Sequence, residues 1–231
     1  MAEFFGGFTY FGAALCIVVY MAGFGFAKKS GSPVFNPFLT ALVLLMLSLC
    51  VLDIEYEAFT AQAQPISYLL TPATVCLAIP LYEQIELLKK NARAVFGGIA
   101  AGVLTSLVCV FVMAKLFGID HAAYVSLLPK SITMAIGMDI SEMLGGYVAV
   151  TIAAITITGI IGNIFAAVIC RMWGVREPVA RGVAIGCASH AMGTAKAMEI
   201  GDVEGAMSGL SIAVAGLLTV VGAPFFAGLI V

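Results

Sequence analysis

The chain has 231 residues, 62% of them hydrophobic and only 10% charged, with a mean hydropathy of +1.10 and a formal net charge of −2. A soluble domain of this length needs about a quarter of its residues charged to cover its surface, so the composition points to a multispanning membrane protein and excludes a soluble one. The slight negative charge leaves no basic face to replace counterions on phosphates, which excludes nucleic-acid binding.

Residues 5–27 form the first apolar run. Its leading flank is acidic rather than basic and no small-residue cleavage site comes after it, so it reads as a first span and not a signal peptide. Further runs lie at 35–54, 66–82, 94–117, 146–170 and 206–231, each near the ~20 residues a helix needs to cross the hydrocarbon. About six full transmembrane helices result. The third contains TPATVCLAIPLYEQ, whose prolines Pro72 and Pro80 predict a kinked helix. Thr71, Thr74 and Glu83 are candidate lining groups there, although the threonines can equally satisfy carbonyls freed by proline.

Two segments, 120–145 and 178–204, are apolar in patches but interrupted by charge, glycine and proline. Lysine and arginine favour cytoplasmic loops, which places Lys28 and Lys29, then Lys89, Lys90 and Arg93, then Arg171, Arg176 and Arg181, inside. The N-terminus is then outside. Residues 120–145 must enter and leave from outside, and 178–204 from the cytoplasm, which gives two oppositely oriented re-entrant hairpins. The alternative is that each segment is a complete but broken span, which reverses the orientation of every later segment.

The charges explain why these segments cannot face lipid. Lys130, Asp139 and Glu142 would each cost about 2.5–3.5 kcal/mol at the centre of a plain span, while an apolar residue returns only about 0.3–0.6. The same holds for His190, Lys196, Glu199, Asp202 and Glu204. A shift of sixty positions also lays Lys130 on His190, Asp139 on Glu199, Glu142 on Asp202 and Gly145 on Gly205. With opposite orientations this is an inverted repeat, an arrangement common in secondary transporters.

The tips fall at LLPKSIT (Leu127 to Thr133) and ASHAMGT (Ala188 to Thr194). Pro129 and Gly193 are suitable breakers, and Ser131, Ser189 and Thr194 suit the N-caps of the returning half-helices. Two helix N-termini aimed at the centre, with Lys130 and His190 as further donors and Thr133 beside them, make an anion site for a small carboxylate. Lys196 either joins it or pairs with Glu199 three residues on. The plainer readings are a snorkelling Lys130, a packing His190, and solvated ends for Asp139, Glu142, Asp202 and Glu204. Glu199 and His190 are the candidates for coupling to H+ or Na+. The six cysteines fall singly in apolar runs and read as small buried hydrophobes. H-E-x-x-H, G-x-S-x-G and C-x-x-C are missing, so neither an enzyme nor a metal or cofactor site is expected.

NPFLTALV, TPATVCLAIPLYEQ, LLPKSIT and ARGVAIGCASHAMGTAKAMEIGDVEGAMSGLS resemble the LrgB/CidB (YohK-like) family of bacterial inner-membrane proteins over essentially the whole chain. The resemblance implies an antiholin-like or holin-like protein that modulates murein hydrolases and cell lysis with a small LrgA/CidA-type partner. It also implies small monocarboxylates, since relatives are linked to pyruvate and a plant plastid relative carries glycolate and glycerate. A homodimer follows by the same analogy. Relatives carry a proline shortly after K-S-V-T, whereas this chain reads Met134-Ala135-Ile136-Gly137, so the resemblance does not fix the breakpoint of the first hairpin. The expected architecture is a single all-α polytopic membrane domain, 1–231. It has a four-helix part over 1–117 and the repeated pair of hairpin plus helix over 118–231.

Overall fold

The structure, a computed structural model, describes residues 9–30, 37–69, 72, 75–76 and 78–230. The chain divides into two compact units, Met1–Cys76 and Leu77–Val231. The first contains α1 (Phe11–Ser30), α2 (Pro37–Leu52) and α3 (Tyr56–Tyr68). Glycine brings these helices close: a Cβ on Gly12 would lie 2.9 Å from the Phe59 carbonyl oxygen of α3, and one on Gly23 equally near that of Pro37 in α2.

The second unit contains α4 (Ala78–Glu83), α5 (Ile85–Phe117), α6 (His121–Leu127), α7 (Met134–Met143), α8 (Val148–Met172), α9 (Pro178–Ile200) and α10 (Asp202–Ala227). Among the described residues α1, α5, α8 and α10 are long and apolar enough to cross a membrane, and α2 holds a shorter apolar stretch. They correspond to five of the six predicted runs. The third run is not one described helix: α3 ends at Tyr68, α4 resumes at Ala78, and Thr71 and Thr74 lie outside the described residues.

Each long helix buries a face of small or modest side chains. On α8 these are Thr151, Ile155, Gly159, Gly162, Ala166 and Cys170, at helical spacing of three and four. Its opposite face, with Ile157, Ile161, Phe165 and Val168, is exposed. Apolar side chains left outward over such lengths suit hydrocarbon, and small residues inward let backbones approach. At 33 residues, α5 is roughly 50 Å long, more than the hydrocarbon needs. Its first turns therefore carry Lys89, Lys90 and Arg93 beyond the apolar stretch that begins near Ala94.

Residues 178–200 are helical except at Ser189 (φ −134°, ψ 15°) and His190 (φ 42°, ψ −138°), which separate an arm over 178–188 from one over 191–200. The two arms run in opposite directions along α10. Gly182 abuts Glu204 and Met207, and Gly186 abuts Ser208 and Ser211, so the first arm runs parallel to α10. Thr194 then bonds Ser208 at 2.7 Å, and Met198 lies on Gly205, so the second arm returns to where the first began.

The segment of α6 and α7 also folds back. Ser126 and Ser141 both bond Thr151 of α8, and Pro129 lies against Gly137, with the turn between. Its starting end is tied to the end of α10: Tyr124 donates through its hydroxyl to the Phe226 carbonyl at 2.8 Å, and His121 Nδ1 to that of Ile230 at 2.6 Å. The two hairpins thus begin at opposite ends of α10. First-arm contacts with α5 (Gly98 with Val183, Gly102 with Cys187) and the Gly162–Ser189 contact with α8 place α5's start, α8's end and α9's start together. Lys89, Lys90, Arg93, Arg171, Arg176 and Arg181 consequently share one end of this unit.

Local signals set the boundaries. Gly118, at φ 62°, ends α5 in the left-handed region. Asp120 caps α6 by accepting from Ala123 N at 3.1 Å, and Glu177 caps α9 from Ala180 N at 2.7 Å, with Pro178 at the first helical position. Arg181 of the first arm pairs with Glu204 in the first turn of α10 at 2.7 Å, and the Glu204 side chain is only 7% exposed. Glu204 is therefore not a solvated end, unlike the exposed Asp139, Glu142 and Asp202. Glu204→Ala is expected to cost about 2 kcal/mol in thermal unfolding, reduced from a fully buried pair because Arg181 keeps some solvent. Asp202→Ala should leave the transition unmoved.

Candidate functional site

The turn of the first hairpin is made by Pro129, which is fully buried, with Ile132 N donating to the Pro129 carbonyl at 3.3 Å. Proline fixes the bend and leaves Lys130 and Ser131 at its apex. Lys130 Nζ donates to Ser131 Oγ at 3.0 Å, and Ser131 Oγ lies 3.3 Å from Ser106 Oγ of α5. Lys130 forms no ion pair with any described residue. Its ammonium therefore has two further protons to offer.

The apex of the second hairpin is held on α8. His190 Nε2 donates to the Ile155 carbonyl at 3.0 Å, and Asn163 Nδ2 donates to that of Met192 at 2.7 Å. The imidazole lies over Gly159, where a Cβ would stand 2.7 Å from Cε1. Thr194 donates to the His190 carbonyl at 3.0 Å, which steadies the one non-glycine left-handed position in this segment. These contacts place the break at Ser189–His190 and not at Gly193 as predicted. Gly193 is helical and serves another purpose: a Cβ there would lie 2.6 Å from Ser189 Cβ and 3.0 Å from Ile185 Cγ2, so its absence lets the arms touch.

Between the two apices, α5 and α8 lies a cavity of about 950 Å³. Lys130 and Ser131 reach it from one hairpin, Ser189 from the other, Ser106 and Cys109 from α5, and Thr158 and Gly162 from α8. It extends past Gly98 and Ala184 to Asn91 and Glu177, at the basic end of the unit. Ser189 is 3% exposed, yet its hydroxyl has no hydrogen-bond partner among the described residues and its residue lines this space. An unpaired hydroxyl and an unpaired ammonium facing one pocket are what a small anion needs on arrival.

Lys130, Ser131 and Ser189 of the predicted site thus come together. Thr133, His190, Gly193, Thr194 and Lys196 do not line the cavity. Thr133 is the N-cap residue of α7, in place of Ser131, and its side chain makes no capping bond. Thr194 is inside the second arm rather than at its cap. Lys196 donates to Glu199 at 2.7 Å, and Glu199 is exposed, so this pair decorates the returning arm. Pro72 and Glu83 are exposed, and Pro80 falls within α4. The α5 wall is absent from the site expected on sequence grounds. Gly98, Gly102, Ser106 and Cys109 recur at spacings of four, four and three in an otherwise bulky apolar helix, and that stripe of small residues is the signal that marks it.

Comparison with known proteins gives a consistent result. The model of the LrgB-like family matches residues 16–229. Antiholin-like protein LrgB of Bacillus cereus (strain B4264) is 37% identical over 218 residues, covering 94% of this chain and 95% of the relative. The protein of the same description from Bacillus anthracis (strain CDC 684 / NRRL 3495) matches to the same extent. No solved structure matches at significant similarity. With a family match over nearly its whole length and helices of membrane-spanning length and composition, this chain is a polytopic membrane protein that belongs to the LrgB-like family.

Proposed function

We propose that this protein carries small monocarboxylates such as pyruvate, glycolate or glycerate across the bacterial cytoplasmic membrane, with its N-terminus outside and both hairpins re-entrant. The observation that carries this reading is the unpaired Lys130 ammonium at the end of a cavity that also receives the unpartnered Ser189 hydroxyl from the opposite hairpin. A cation left alone in a largely apolar enclosure is costly unless a guest of opposite sign answers it. Two hairpins meeting at one site from opposite ends suit alternating access, in which either can release the guest. The basic end onto which the cavity extends is the cytoplasmic one by the positive-inside rule. H+ or Na+ coupling, a homodimer and a small LrgA/CidA-type partner belong to this proposal.

A second reading has its own support. The relatives bear the description antiholin-like, and that description favours a membrane protein regulating murein hydrolases and lysis more directly than it favours transport. The two readings separate in proteoliposomes. Transport predicts saturable uptake of labelled pyruvate or glycolate that is lost in Lys130→Ala. A pore-regulating role predicts release of trapped dyes of mixed size, with no saturation and no dependence on Lys130.

A further inference from the structure

We infer that Ser106 of α5 is a specificity-determining residue, donating a hydrogen bond to an oxygen on the carbon next to the guest's carboxylate; the inference rests on the carboxylate reading above. Lys130 and Ser131 suffice for a carboxylate, since the ammonium and the adjoining hydroxyl present donors side by side. Ser106 lies one step beyond, with Oγ 3.3 Å from Ser131 Oγ. That separation is longer than an O–H···O bond normally is, so either hydroxyl loses little by turning towards a guest.

Its neighbours on the same wall cannot substitute. The Thr105 hydroxyl donates to the Ala101 carbonyl of its own helix at 2.7 Å, and Cys109 is a weak donor. The only hydrogen bond of the Ser106 side chain among the described residues is the loose one to Ser131, which leaves it the group on α5 able to read a second oxygen. The run from Lys130 through Ser131 to Ser106 matches the sequence of oxygens on a two- or three-carbon hydroxy or oxo acid, carboxylate first. A guest without the second oxygen leaves Ser106 facing apolar carbon, and an unanswered polar group is where discrimination arises.

The test is equilibrium binding of glycolate and of acetate to the purified full chain in lipid nanodiscs, for the wild type, Ser106→Ala, Ser106→Thr and Lys130→Ala. Ser106→Ala is expected to weaken glycolate about fivefold, the worth of one neutral hydrogen bond, and to leave acetate within twofold. Ser106→Thr should restore the preference. Equal weakening of both acids by Ser106→Ala, or no change in either, overturns the inference. Loss of both acids in Lys130→Ala alongside an unchanged glycolate-to-acetate ratio in Ser106→Ala keeps the carboxylate reading and removes Ser106 from it. Failure of the wild type to bind either acid overturns both.

Discussion

Lys130→Ala lowers affinity for glycolate or pyruvate by about 30- to 150-fold, because a hydrogen bond to a charged partner in a dry site is worth about 2–3 kcal/mol. The same substitution leaves the fold intact. Lys130 has no carboxylate partner among the described residues whose loss would strand a charge, and its one bond, to Ser131, is replaceable by the Ser106 hydroxyl beside it. Lys130→Arg is not a conservative control. The guanidinium is larger and planar, and the apex that carries it is fixed by the buried Pro129. Binding in nanodiscs and a thermal melt of the same sample separate the two effects: affinity falls while the melting transition stays within experimental error.

The second large effect is at Gly162. A Cβ added there would fall on the Ser189 side chain, at both Cβ and Oγ. α8 cannot retreat easily, because Thr151 and Asn163 tie it to both hairpins and His190 rests on Gly159 one turn away. Overpacking of this kind costs about 1–3 kcal/mol, and the branched side chain of Gly162→Val belongs at the upper end. The expected outcome is a lower thermal transition together with loss of uptake, since the displaced hydroxyl is the one facing the cavity. Gly97→Ala is the control. A Cβ at Gly97 meets nothing within 4 Å, so that change should stabilise α5 by up to about 1 kcal/mol through helix propensity. A melt of both variants beside wild type decides the matter, and equal transitions for Gly162→Val and wild type would mean that the apex does not rest on α8.

Much of this arrangement is legible in the sequence because the bilayer tolerates few solutions. Long apolar runs have to be helices, and charge inside such a chain marks the segments that cannot face lipid. The first apex is found at Pro129–Lys130–Ser131 because proline dictates a bend locally. The second is misplaced by a few residues for a physical reason. Its break depends on what His190 and Met192 meet on α8, some thirty residues away, whereas Gly193 provides a flat surface between two arms. A glycine that permits a bend and one that permits an approach look alike in a string of letters. Glu204 is likewise unreadable as a buried ion-pair partner until the hairpin brings Arg181 to it. Ser106 escapes notice because a lone serine in an apolar helix has many mundane explanations, and only the Ser131 hydroxyl opposite gives it a chemical one.

The central claim is that the two hairpin apices face a single anion-binding cavity. It is tested most directly in a background with the native cysteines replaced by alanine, by measuring maleimide labelling of Ser131→Cys and, separately, of Ser189→Cys with and without glycolate. The account predicts that glycolate slows labelling at both positions and that glycolamide, an uncharged molecule of the same shape, slows neither. Labelling that ignores glycolate at both positions, or protection at one apex alone, would contradict it.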